Sequence, residues 1–215
     1  DSTGVNDSWQ DAARRLAAAR VAVVGDAELA GEMVAALEPT LPEVRLDSAP
    51  RRGDTLTVLV ETADSAARSQ EVARRCRGEG IALLRVRAEQ EAVTVGPYVD
   101  ESFSPCLACA CADEPEIGPR PEAARHDIIV GLAARAVAAL IARATVTHLP
   151  GDARRTDLAT FTYTDRPVIS RPGCPVCSVA GAGEEPVPVA PSAPVGARYE
   201  QSVAIPPAAF VDSKG

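Results

Sequence analysis

Aromatic residues are scarce in this chain, at 3% with three Phe, three Tyr and one Trp, and there is a single Met. A core without large rings must be filled by small aliphatic groups, which favours tightly packed α/β layers over an aromatic-rich β fold. Clustered basic charge is missing as well. Lys and Arg number 22 against 30 Asp and Glu, for a net charge of −8. The arginines (Arg14, Arg15, Arg51, Arg52, Arg74, Arg75) are scattered among acids. Nucleic-acid binding draws its affinity largely from grouped Lys and Arg, so no nucleic-acid partner is expected. No apolar run reaches the roughly 18 residues that span a bilayer. The best candidate, Ile128 to Ala144, carries Arg135 and Arg143, so no membrane contact is expected. The chain opens at Asp1 without a signal-like segment, and the expected location is cytoplasmic, for a processed product or part of a longer chain. His126 and His148, the only histidines, read as surface residues.

What is present suffices for one sizeable core, since 46% of 215 residues are hydrophobic. Helical patterns at Ser8–Ala19 and Glu28–Leu37 flank an apolar run, Arg20 to Val24, that ends at Gly25. Further strands are predicted at Val44–Leu46, Leu56–Val60, Ile81–Val86 and Ala92–Val95, with a helix capped by Asp64 running to Cys76 and closed by Gly78 and Gly80. Strands alternating with helices predict a parallel sheet with right-handed crossovers. After Gly96-Pro97 the pattern changes to a loop bearing Cys106-Leu107-Ala108-Cys109, then a polar spacer. A long helix follows at Glu122–Ala144, with strands at Leu158–Tyr163 and Val168-Ile169. From Gly181 onward prolines recur among small residues, a linker composition expected to be disordered. Three segments result: a helical lead-in at 1–19, the main domain at 20–180, and a proline-rich tail at 181–215.

Six cysteines in such a chain point to metal or reactivity more than to disulfides. Cys106 and Cys109 form one CxxC pair, and Cys174 and Cys177 another. Two residues between thiols let one turn direct both at the same ion, and two such turns complete a tetrahedron. These four are the predicted ligands of a structural Zn2+, a closed site without a position for substrate. Cys76 reads as a buried small hydrophobe. Cys111 is left over, a possible nucleophile without an evident His or Asp partner. The segment Val21 to Gly31 has the shape of a dinucleotide-binding turn, with Asp47 about 20 residues on, where a ribose-binding acid would sit. Its glycines are largely replaced: Gly25 remains, but Ala27 and Ala30 stand at the next two positions, and Gly31 comes one residue late. Asp26 and Glu28 place negative charge at the helix start, against an anionic ligand. No catalytic or cofactor-binding residue is assigned to this turn.

Together the VAVVG strand and turn, TVLVETADSAAR, GPYVDESFSPCLAC and RPGCPVC resemble the ubiquitin-activating-enzyme-like (ThiF/MoeB) superfamily over residues 20 to 180. The likeness is strongest to the ThiF-like partner proteins of thiazole/oxazole-modified peptide biosynthesis. The resemblance implies a truncated Rossmann-like sheet and a zinc on Cys106, Cys109, Cys174 and Cys177. It also implies a non-catalytic role: presenting a precursor peptide to a YcaO-type cyclodehydratase. Members of that group usually carry an N-terminal winged-helix module that grips the leader peptide. Only about 20 residues precede the first strand here, so that module lies on a portion not included or leader binding happens elsewhere. The tail's RYEQSVAIPPAAF resembles a connection into a further domain such as an azoline dehydrogenase, and the superfamily often forms homodimers. Two other readings are an E1-like enzyme that adenylates a peptide or carrier-protein C-terminus, and a thiol-transfer protein acting through Cys111.

Overall fold

Val21, Ala22, Val23 and Val24 are all at most 1% exposed, as expected of a strand covered on both faces. They form β1 (Arg20–Gly25), second from one edge of the sheet in the computed structural model, which describes residues 8–101, 104–143 and 152–177. Beside it lie β2 (Glu43–Leu46), β3 (Leu56–Glu61), β4 (Ala82–Ala88), β5 (Ala92–Val99), β6 (Asp152–Asp157) and β7 (Tyr163–Pro167). The seven strands make one sheet in the order β2-β1-β3-β4-β5-β6-β7. The first four are mutually parallel, with Val23 level with Leu46 on one side and Val58 on the other.

From β4 onward every pairing is antiparallel, which corrects the expectation of a parallel sheet. The reason is length. Only residues 89–91 connect β4 to β5, enough for a hairpin but far too few for a crossover. A register irregularity between Leu84 and Val86 interrupts this hairpin at Arg85. Further out, Gly96 has φ +108°, and a Cβ there would lie 2.3 Å from the Asp152 carbonyl oxygen, so β5 and β6 approach closely only because this residue is glycine.

Helices α1 (Trp9–Ala18), α2 (Ala27–Leu37) and α5 (His126–Ala142) cover one face, where Leu29, Met33, Ile129 and Val137 pack on Val21, Val58, Leu84 and Val86. Ser8 caps α1 by accepting from the Asp11 N–H. On the other face, α3 (Ser69–Glu79) and α4 (Leu107–Cys111) bring Val72, Cys76, Leu107 and Ala110 against Val24, Leu59 and Leu83. Cys76 is buried, as read from the sequence.

Several local expectations are corrected. Asp64 does not cap α3. Ser65 accepts instead from the Thr62 N–H (2.9 Å), a 3-10 turn at Ala66–Arg68 follows, and Gly80, left-handed at φ +65°, closes the helix. The CLAC segment is not all loop, since α4 begins within it at Leu107. The long helix begins as a 3-10 turn at Ala123–Arg125 and becomes α-helical at His126. Leu158–Tyr163 is not a strand: Asp157 accepts from the N–H groups of Ala159 and Thr160, and this turn joins β6 to β7. Val168 and Ile169 lie just past β7. The proline-rich tail, His148 and Ala144 lie outside the described residues.

Candidate functional site

Cys106 immediately precedes α4, with its carbonyl accepting from the Cys109 and Ala110 N–H groups (3.1 and 3.2 Å). One helical turn therefore sets Cys106 and Cys109 on the same side. Gly173, left-handed at φ +71°, leads into a second turn that carries Cys174 and Cys177. The two turns meet. Cys106 Sγ lies 3.6 Å from Cys174 Sγ, Cys109 Sγ lies 3.5 Å from Cys177 Sγ, and all four sulfurs fall within 4.8 Å of one another. At Zn–S bonds of about 2.3 Å, a tetrahedron places its sulfurs roughly 3.8 Å apart, so the four thiols fit that ion.

The surroundings favour thiolate at the outer turn. The Arg171 N–H donates to Cys109 Sγ at 3.3 Å. Hydrogen bonds from the Val176 and Cys177 N–H groups hold the Cys174 thiol down at about 6, while burial pushes Cys106 up to about 12 and raises Cys109 as well. Ala108 and Val176 wall the cluster, and Arg171 pairs with Asp113 beside it. Cys111 stands apart from this set. Burial raises its thiol, against the lowering effect of Arg85.

The turn after β1 is shaped by packing rather than by a cradle for phosphate. Gly25 has φ +122°, and a Cβ on it would sit 1.9 Å from the Val60 carbonyl oxygen. That oxygen also accepts from the Asp26 N–H at 2.9 Å. The Asp26 carboxylate caps α2 through the Leu29 N–H (3.2 Å) and accepts from Thr62 Oγ1 (3.1 Å). Arg120 reaches in to bond Asp26 (3.1 Å) and Glu28 (2.7 Å), placing a guanidinium where an anion would meet the helix start. Asp47 is engaged by Arg45 (3.2 Å) and Arg51 (2.7 Å). Beside Gly25 opens a cavity of about 260 Å³ lined by Asp26, Ser48, Asp64 and Arg68, whose balance of charge is negative.

Composition and spacing missed a buried ionic network on the α3 face of the sheet. Arg85 donates to Glu61 (2.8 Å) and pairs with Glu114. Arg87 bonds Glu89 (2.6 Å), Glu114 (3.4 Å) and the carbonyls of Pro115 and Glu116. Arg166 completes the set on Glu114, and Arg155 on Glu89. A cavity of about 430 Å³ opens among Arg87, Glu89, Thr94, Arg155 and Arg166. The available signal was Leu83-Leu84-Arg85-Val86-Arg87, where two arginines two apart must share one face of an otherwise apolar strand. His126 was also misread. It is 3% exposed, with Nδ1 3.1 Å from a Glu32 carboxylate oxygen. Among the described residues no helix is long and apolar enough to cross a membrane.

No family model matches the sequence, and no curated protein matches it by sequence. Solved structures do match in fold. The heterocyclase TruD superposes with a TM-score of 0.62 at 14% identity, over 79% of this chain and 28% of its own. For E. coli MccB the TM-score is 0.59 at 11% identity, over 79% of this chain and 68% of MccB. The E. coli microcin synthetase McbBCD complex contributes a chain with a TM-score of 0.54 at 13% identity, over 74% of this chain and 69% of that one. The chain spans about a quarter of the length of the heterocyclases it matches. The resemblance read from its motifs therefore holds at the level of the fold, which this chain shares with TruD, MccB and a chain of the McbBCD complex.

Proposed function

We propose that this chain is a non-catalytic ThiF-like partner in the biosynthesis of thiazole/oxazole-modified peptides, assisting a YcaO-type cyclodehydratase with its precursor peptide. One observation carries the reading. A fold shared with a heterocyclase and with a microcin synthetase component is combined with a first turn whose helix start is taken by the chain's own Arg120. Asp26, Glu28 and Arg120 satisfy one another there, so an incoming phosphate finds two carboxylates and no free guanidinium.

Cys106, Cys109, Cys174 and Cys177 are the residues that would hold Zn2+. The ion supplies a cross-link of four thiolates, with no open position for a substrate. Its task is to fix α4 against the 174–177 turn and so hold the segment 112–118, whose Glu114 and backbone carbonyls engage Arg85, Arg87 and Arg166. Azoline dehydrogenase is a further partner in this reading, and a homodimer its expected assembly.

The test is reconstitution. The purified chain should associate with a YcaO enzyme and stimulate ATP-dependent cyclisation of a Cys/Ser/Thr-rich precursor peptide, and Cys174→Ser should abolish both. Absence of association and of stimulation would overturn the reading. ATP-dependent pyrophosphate exchange by the chain alone would replace it with the adenylating one.

A further inference from the structure

Apart from the four thiols, one group of ligand-type side chains converges among the described residues. Glu28 and Glu32 lie one turn apart on α2, and His126 begins α5 against them. One ligand atom from each falls within 4.8 Å of the others. Two carboxylates at i and i+4 on one helix face repel each other unless a cation stands between them. Of these two carboxylates Arg120 pairs with Glu28, at 2.7 Å, and it holds Asp26 as well, at 3.1 Å. The His126 side chain is 4% exposed, and its Nε2 is buried without a hydrogen-bond partner, so Nδ1 is the ring's one polar outlet. That outlet faces Glu32 at 3.1 Å.

From this arrangement we propose that Glu28, Glu32 and His126 Nδ1 form a second metal site, for a first-row divalent cation, at the seam between α2 and α5. The donor set decides the class. One imidazole with two carboxylates suits Zn2+, Co2+ or Ni2+, whereas Ca2+ and Mg2+ prefer all-oxygen shells. At bonds of about 2.1 Å, neighbouring tetrahedral ligands sit roughly 3.4 Å apart. The fixed member is His126. The two carboxylates, 55% and 41% exposed, are free to swing the remaining distance. Three protein ligands leave at least one position to water. Arg120 and the metal compete for Glu28, so binding leaves the guanidinium on Asp26 alone. The site is distinct from the thiol cluster in ligands and in place.

Titration of the purified chain with Co2+, followed by absorption and calorimetry, separates the two sites. Cobalt on thiolates gives sulfur-to-metal charge transfer, and cobalt on Glu28, Glu32 and His126 does not. The expected result is an equivalent of Co2+ bound without that band. Glu32→Gln should weaken it by about tenfold or more, the scale of losses seen when a metal's ligand environment is disturbed. Arg120→Gln should tighten it by removing the built-in competitor. Both residues reach solvent; Arg120→Gln also takes a cation from the buried Asp26, so its fold is checked by circular dichroism before titration. A titration that ends with sulfur-bound cobalt overturns the site. So does a sulfur-free equivalent that Glu32→Gln leaves intact, or one that Arg120→Gln weakens.

Discussion

From β2 to β4 the middle of the sheet is filled by Val, Leu and Ala. From β4 to β7 the positions on the α3 face include Arg85, Arg87, Thr94, Arg155 and Arg166. The first region is sandwiched between helices and held by apolar burial, with Val21, Val23, Val58 and Val60 at 0% exposure. In the second, Arg85 and Arg87 are buried beneath the segment 112–118, Arg155 and Arg166 are half exposed at its edge, and all four are held by carboxylates. Apolar burial needs no particular partner, but a buried charge does, and losing one partner strands the other. The difference predicts where the molecule fails first: the antiparallel region depends on a few specific cross-links, and the parallel region on many interchangeable contacts.

The sharpest way to test that contrast is to remove the strongest cross-link. Chelation of metal, or Cys174→Ser, should cost on the order of 10 kcal/mol of the stability of the region around α4, the scale of a structural zinc site. Hydrogen exchange should rise across β5 to β7 while β1 and β3 stay protected. Uniform loss of protection would erase the distinction between the two regions. Gly25→Ala attacks the other region. Its Cβ would meet the Val60 carbonyl at 1.9 Å in a backbone conformation that alanine rarely adopts, so roughly 4 kcal/mol of strain and overpacking is expected. Chemical denaturation would measure it, and a loss under about 1 kcal/mol would mean that β1 and β3 can part more easily than their packing suggests. Third in size is Glu114→Gln, which takes a charged partner from Arg85, Arg87 and Arg166 at once. Arg85 keeps Glu61 and Arg87 keeps Glu89, so about 3 kcal/mol is expected, less than for a fully orphaned charge.

The same contrast explains what the sequence made legible. Strands β1 and β3 announce themselves as largely apolar runs, because both of their faces are covered, and β4 does so up to Leu84, before its two arginines. The thiol cluster is legible because two residues between cysteines let one turn direct both thiols the same way, and the four cysteines named from that spacing are the four that meet. Strand β6, Asp-Ala-Arg-Arg-Thr-Asp, was missed because its one fully buried residue is the small Ala153 and its arginines are held by carboxylates on other strands and turns, Glu89 and Asp165. Alternation in Leu158–Tyr163 imitated a strand, and the Asx turn at Asp157 overrode it. His126 was misread for a related cause. A lone histidine shows nothing in sequence of the Glu32 that faces it, since α2 and α5 meet only in the fold.

The smallest expected effect is a pH dependence confined to the charged region. Burial alone would raise the Glu89 carboxyl, but hydrogen bonds from Arg155, the Gly118 N–H and Arg87 outweigh it and hold the group below its ordinary 4.5. A carboxylate depressed by folding contributes stability that is fully present above the unfolded value and is lost as pH falls through the folded one. The contribution of Glu89 should therefore begin to disappear below about pH 4.5. Asp47, at the end of β2, is held below an ordinary 3.8 by the Ser48 N–H, Arg45 and Arg51 against the raising effect of burial, so its loss comes at lower pH. Acid should thus loosen β5 to β7 before it loosens β2. Urea unfolding of the unaltered chain and of Glu89→Gln across this range would show it: the stability gap between them should narrow below pH 4.5. A gap that stays constant on acidification would mean that Arg87 and Arg155 are held by the carbonyls of the 112–118 segment and by solvent, and that the ionised state of Glu89 contributes nothing to the antiparallel region.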